Sequence, residues 1–418
     1  MTQTTLIRNA RLLDPLKPEL QDRHDILIEG DTIREVSDRP IAAPAACDAR
    51  VIDAAGKTMM PGLIDLHVHL VAITMNLQSL ANQPNVLVTL RSLPILRGML
   101  RRGFTTVRDA GGAGHAFKQA VESGLAQGPR LFVSGRALSQ TGGHGDGRAR
   151  SDYLMDSGGI CPTCARVGAI ARVADGVDAV RKAAREELQM GADQIKIMAG
   201  GGVASPTDPV DALGYSEDEV RAIVAEAQGR NTYVLAHAYT PRAIERVVRC
   251  GVRTIEHGNL IDAPAAAVMA EHGAYVVPTL VTYDALANEG PSLGLPPASI
   301  AKVEDVRGAG LRSLEIYRSA GVKMGFGSDL LGESHRLQSD EFRLRTQVLS
   351  PAEVIASATV VGAEVLGMSG RLGRLVPGAL ADLLLVDGDP LRSVDCLLGQ
   401  GEHIPLVMKA GVVEFNAL

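Results

Sequence analysis

The sequence predicts an α/β protein: a (β/α)8 TIM-like barrel with a small β-sandwich domain built from both chain ends. Three observations lead there. The middle of the chain alternates short apolar runs with Ala-rich helical stretches, which is the pattern of strands crossing over through helices. Both ends carry short strands joined by tight turns instead. Six polar residues (His67, His69, Lys196, His237, His257 and Asp329) sit at or beside the C-terminal ends of apolar runs, where a barrel of this class carries its chemistry.

Taken in order, residues 1–60 read as strands around Leu6-Ile7 and Asp25–Asp31, with a hairpin turn at Glu29-Gly30-Asp31-Thr32-Ile33. Residues 366–418 repeat that texture. Asp382–Asp389 is a strand ending in a turn, and Val407–Val413 is a second hairpin. The two segments are expected to pair into one composite β domain, with residues 61–365 forming the catalytic barrel. Its eight candidate strands are Pro61–His69, Thr105–Asp109, Leu131–Gly135, Gln194–Met198, Tyr233–His237, Thr254–His257, Tyr275–Thr279 and Lys323–Asp329. Helical patterns separate them. Ser216-Glu217-Asp218-Glu219-Val220, for example, has the form of a capping box at a helix start.

Composition narrows the function. The 418 residues are 46% hydrophobic and 22% charged, which suits a globular protein. A net charge of −6 argues against a phosphate-binding surface, so no nucleic-acid partner is expected. With no Trp and 3% aromatics, a base-stacking platform is not expected either. No long uncharged apolar run suggests a membrane span. The N-terminus lacks the basic and apolar regions of a signal peptide, and five scattered cysteines suit a reducing compartment. A cytoplasmic location is expected.

The candidate site begins at His67-Val68-His69. Positions i and i+2 of a strand point to one side, so two imidazoles can reach one metal ion. Lys196 lies between Ile195 and Ile197, where a free ammonium would be costly. It snorkels to solvent, pairs with a carboxylate or, as a neutral amine, reacts with CO2 to give a carbamate whose two oxygens can bridge two cations. His237 and His257 alone could be structural, and Asp329 after Gly327-Ser328 could cap a turn. All six in this order at strand ends point to a metal-dependent hydrolase.

These residues make the chain resemble the amidohydrolase superfamily over nearly its whole length, including Pro61-Gly62-Leu63-Ile64-Asp65 and Pro377-Gly378-Ala379-Leu380-Ala381-Asp382-Leu383. The resemblance implies that His67 and His69 bind a buried metal, and that carboxylated Lys196 bridges it to a second one. It implies that His237 and His257 hold the more exposed ion, and that Asp329 touches the buried metal and the hydrolytic water. Two divalent ions, zinc by ligand type, are the implied cofactors. Ser139–Asp146, Gly200–Pro209 and Ala236-His237-Ala238-Tyr239 look like the prolidase-like and carboxypeptidase-like branch, and are similar to bacterial amidohydrolases that cleave ochratoxin, an N-acylated phenylalanine. The expected substrate is an N-acyl amino acid or dipeptide-like amide. A cyclic amide, a lactone, or a barrel that only binds are the alternatives. The resemblance also implies a homo-oligomer, with an octamer as one form.

In that chemistry two cations lower the pKa of a water. Asp329 takes its proton and passes it to the departing amine. His144, in a Gly-rich loop, and Tyr239, two residues after His237, are the candidate donors to the oxyanion. A substrate carboxylate needs a cation, for which Arg148, His335 and Arg336 are candidates. Cys161-Pro162-Thr163-Cys164 has no second pair to complete a zinc site, and Gly200-Gly201-Gly202 lacks the Lys-Ser/Thr of a phosphate loop. His115, His272 and His403 have no partner pattern.

Overall fold

Alternating apolar and polar residues at the N-terminus form β1 (Thr4–Leu12), β2 (Gln21–Glu29) and β3 (Thr32–Ser37), then β4 (Arg50–Asp53) and β5 (Thr58–Pro61). The structure is a computed structural model, and it describes residues 3–42, 49–148, 166–205, 208–295 and 297–418. Strand β1 pairs antiparallel with β2, and parallel first with β4 and then with β5. Its register shifts between Ile7 and Ala10, where Asn9 takes a left-handed φ of 57°. The β2–β3 hairpin turns at Gly30, whose φ of 62° suits a residue without a β-carbon.

The middle of the chain supplies β6 (Leu63–Val68), β7 (Phe104–Asp109), β8 (Arg130–Val133), β9 (Ala137–Ser139), β10 (Ala171–Val173), β11 (Ile195–Met198), β12 (Val234–Ala238), β13 (Thr254–His257) and β14 (Tyr275–Val277). All their pairings are parallel: β6-β7-β8 in one sheet and β10-β9-β11-β12-β13-β14 in the other. Two of the eight expected runs differ from the sequence expectation. The run Leu131–Gly135 does not continue as one strand. Gly135 turns left-handed (φ 64°), so β8 bonds to β7 while the chain resumes as β9 against β11.

The run Lys323–Asp329 closes the ring with scattered main-chain bonds rather than a regular ladder. Val276 N–H reaches Lys323 O at 3.1 Å, Gly325 N–H reaches Val276 O at 2.8 Å, and Leu66 N–H reaches Phe326 O at 2.8 Å. Close approach explains the glycines there. A β-carbon on Gly325 would lie 2.5 Å from Leu66 Cδ1, and one on Gly327 would lie 2.5 Å from Val277 Cγ1.

The C-terminal strands β15 (Leu383–Val386), β16 (Leu406–Lys409) and β17 (Val412–Asn416) return to β5, giving the order β17-β16-β15-β5-β1-β2-β3. Both chain ends therefore share one sheet. The β16–β17 turn places Ala410 and Gly411 at φ 47° and 76°, the left-handed pair a two-residue hairpin needs. The expected capping box also forms. Ser216 N–H donates to Glu219 Oε2 at 2.8 Å at the head of the helix Glu217–Gln228.

Period-two alternation sorts the barrel strands. Ile195, Ile197, Ala236 and Ile255 join Val220, Ile223, Ile244 and Val247 of the flanking helices in one apolar core. The alternate positions Lys196, His237 and Glu256 are polar and buried.

Candidate active site

His67 is the penultimate residue of β6, and its ring is held from behind: Nδ1 lies 2.7 Å from Glu256 Oε2. His69 is held likewise, with Nδ1–H donating to Gly111 O at 2.8 Å. That leaves both Nε2 atoms facing one carboxylate. They lie 3.5 Å and 3.2 Å from Asp329 Oδ1. Asp329 takes a left-handed φ of 51°, and its N–H bonds to His67 O at 2.8 Å. His257, also left-handed at φ 73°, shares a 2.8 Å hydrogen bond with Thr279 Oγ1 through Nδ1. That backbone turn lets consecutive residues Glu256 and His257 both serve the centre. His67, His257 and Asp329 present ligand atoms within 4.8 Å of one another.

His237 donates Nε2–H to Gly201 O at 3.0 Å, and its ring lies 4.7 Å from that of His257. Burial, reinforced by neighbouring cations and imidazoles, pushes His67, His237 and His257 well below the ordinary histidine range. They are neutral rings, the form that ligates metals. Burial also acts against a charged His69, but the adjoining Asp329 carboxylate outweighs it and raises that pKa. Burial works upward on Asp329, and His67, His69 and Lys196 overcome it, so its net pKa is lowered.

Lys196 is 2% exposed, and its Nζ makes no hydrogen bond or ion pair among the described residues. Burial pushes it down to about 8, against the pull of Glu256 and Asp329. The donor set suits a divalent cation: imidazole nitrogens oriented from behind by a carboxylate and a carbonyl, facing the partly buried Asp329 carboxylate and an amine with no partner among the described residues.

His144 stacks on His237 with ring centroids 4.4 Å apart, and its Nδ1 lies 3.3 Å from Asp208 Oδ2. The glycine loop after β11 packs against it, and a β-carbon on Gly202 would sit 2.1 Å from the ring. Tyr239 lies 4.9 Å from His237, centroid to centroid, and its hydroxyl accepts from Tyr283 Oη at 2.8 Å.

The cationic candidates are placed differently. Arg148 Nε and Nη2 donate to the two oxygens of Asp146 at 2.7 and 2.6 Å. Arg336 forms a similar fork with Glu289 and is half exposed. His335 is buried, hydrogen-bonds Ala72 O at 3.1 Å, and is pushed by burial down to about 4. Cys161–Cys164 and Pro206-Thr207 lie outside the described residues. Among the described residues no helix is long and apolar enough to cross a membrane.

Sequence reasoning missed the layer behind the ligands. Arg108 and Glu256, both fully buried, form a 2.8 Å ion pair across the barrel interior. Asp65 accepts from His67 N–H, Ser328 Oγ and Gln338 Nε2, and burial raises it to about 6. The available signal was the same one that marks Lys196, a charged residue inside an apolar run.

Parallel strands with a buried imidazole–carboxylate cluster at their C-terminal ends define a barrel hydrolase site. The amidohydrolase family pattern matches residues 58–413, and the chain belongs to the amidohydrolase family. It is a hydrolase of amide or peptide bonds. It is 31% identical over 348 residues to the ochratoxinase of Aspergillus niger, covering 80% of this chain and 71% of that one. A solved amidohydrolase superposes with a TM-score of 0.97 at 73% identity over 100% of both chains. A solved prolidase complexed with N-methylphosphonate-L-proline gives a TM-score of 0.95 at 57% identity, covering 98% of this chain and 99% of the other.

Proposed function

We propose that the chain is a binuclear metal-dependent hydrolase that cleaves the amide bond of an N-acyl amino acid or dipeptide-like substrate. The observation that carries this is the convergence of His67 Nε2 and His69 Nε2 on Asp329 Oδ1, at 3.5 and 3.2 Å. His67, His69 and Asp329 would hold one ion, and His237 and His257 the other. Lys196, carboxylated by CO2, would bridge them. When bound, two divalent ions, zinc by donor type, would supply Lewis acidity and lower the pKa of a water.

The chain's own groups do the rest. The Asp329 carboxylate, with its pKa held down, accepts the water proton and delivers it to the departing nitrogen. Tyr283 donates to the Tyr239 oxygen, which leaves the Tyr239 hydrogen free for the substrate carbonyl. Burial pushes the Tyr239 hydroxyl far up, so it stays a donor. His144, beside His237, is placed for a second such contact. Arg148 and Arg336 are already paired by Asp146 and Glu289, so either would have to give up a carboxylate to meet that of the substrate.

The prolidase relative's ligand carries tetrahedral phosphorus on a proline nitrogen, where an acyl-proline has its scissile carbonyl. This favours substrates with a C-terminal amino acid. Proline and the phenylalanine of ochratoxin A are the two to test first. Residues 61–365 would form the catalytic barrel. Residues 1–60 and 366–418 would form a β-sandwich, folded where β1 passes from β4 to β5. A homo-oligomer in the cytoplasm completes the proposal.

The test is amino-acid release from acyl-prolines, Xaa-Pro dipeptides and ochratoxin A, set against hydrolysis of lactones and cyclic amides. Release from one of the first group supports the proposal. Turnover confined to the second group overturns it.

A further inference from the structure

We propose that Glu256 is a positioning residue: it fixes the tautomer of His67 and so decides which ring nitrogen faces the metal centre. The proposal rests on the metal-centre reading above. Glu256 and His67 are 0% and 1% exposed, and Oε2 lies 2.7 Å from Nδ1. Glu256 is paired with the Arg108 guanidinium and offers His67 a carboxylate oxygen that accepts, so Nδ1 carries the hydrogen. A neutral ring then keeps its lone pair on Nε2, aimed at Asp329 Oδ1. Two acceptors facing each other at 3.5 Å repel, and a cation between them relieves that repulsion.

The carboxylate cannot turn away. Its other oxygen, Oε1, accepts from Arg108 Nη2 at 2.8 Å and from Thr254 Oγ1 at 2.6 Å. Arg108 is itself anchored, with Nε donating to Leu66 O at 2.6 Å and Nη1 to Thr254 Oγ1 at 3.2 Å. Leu66 is the residue before His67, so one guanidinium ties the β6 backbone and the Glu256 carboxylate together. A plain ion pair for stability would need only Arg108 and Glu256. The third contact, to His67, gives the network a direction.

Glu256→Gln changes no shape and inverts that direction. The amide oxygen belongs opposite the two donors on the Oε1 side, which turns the NH2 toward His67 Nδ1. The ring must then accept at Nδ1 and carry its hydrogen on Nε2, which removes the lone pair from the centre.

The experiment uses the full chain, stripped of metal, in two measurements. Chelator-competition titration with zinc should show the Glu256→Gln protein binding about 10- to 100-fold more weakly than the unsubstituted one. Long-range proton–nitrogen NMR on histidine-labelled protein should show His67 protonated at Nδ1 in the unsubstituted chain and at Nε2 in the variant. A loss of charge alone would weaken zinc binding without moving the hydrogen. Equal zinc affinity, or Nε2–H in the unsubstituted protein, overturns the proposal. The second result needs no folded variant. His67→Ala separates the two levels. If it weakens zinc binding while Glu256→Gln does not, only the positioning role falls. If neither does, the metal-centre reading falls with it.

Discussion

Replacing Lys196 with Met should stabilise the metal-free protein and abolish its function. Burial takes the Lys196 amine from 10.5 down to about 8, with no hydrogen bond or ion pair to its Nζ among the described residues. Holding such a lysine protonated at neutral pH costs about 3 kcal/mol, at 1.36 kcal/mol for each pKa unit. The sign follows from proton counts. Between pH 8 and 10.5 the unfolded chain binds a proton that the folded chain does not. Stability therefore rises with pH across that window and is lowest below it. A methionine fills similar volume without the proton, so Lys196→Met should gain up to about 3 kcal/mol at pH 7, with the gain vanishing near pH 10.5. Urea unfolding at several pH values, in metal-free and CO2-depleted buffer, reads this directly. The same burial raises the neutral amine fraction at pH 7 about 300-fold, which is what reaction with CO2 requires. Bicarbonate with zinc should thus stabilise the unsubstituted chain and leave the variant unchanged. A variant less stable at pH 7, or a difference that does not vary with pH, would refute the reasoning.

Asp329→Asn should keep its metal by elemental analysis while kcat falls about 10²- to 10⁴-fold, the usual worth of a placed proton acceptor. Tyr239→Phe should lower kcat/KM about 10²- to 10³-fold in steady-state assays, because it removes one donor to the oxyanion while the ring packing stays. Arg345→Met should lower stability by about 3–5 kcal/mol in urea titrations, since it strands the fully buried Glu341, 2.6 Å away, and frees the carbonyls of Pro278 and Gly325.

The candidate ligands were legible only together. A lysine between two isoleucines, or two histidines closing an apolar run, could each be structural, but all six in one order at strand ends form a pattern. The terminal hairpins were legible from Gly30 and Gly411, whose positive φ angles glycine tolerates best. The broken third strand was not legible. The turn at Gly135 depends on β8 and β9 choosing different neighbours, and nothing local in Leu131–Gly135 says so. The eighth run, Lys323–Asp329, is legible as an apolar run but not as an irregular one, because its close packing against Leu66 and Val277 appears only when the ring closes. Glu256 and Arg108 were visible as charges in apolar strands. Their partnership spans 148 positions and follows from the barrel, not from spacing. Arg148 and Arg336 look free in sequence, yet Asp146 and Glu289 hold them.

The most direct test of a metal-dependent amide hydrolase is elemental analysis of the purified chain coupled to amino-acid release from an acyl-proline and from ochratoxin A. About two divalent ions per chain, with release that a chelator abolishes and zinc restores, is the predicted result. Undiminished release from a chain stripped of metal would contradict it.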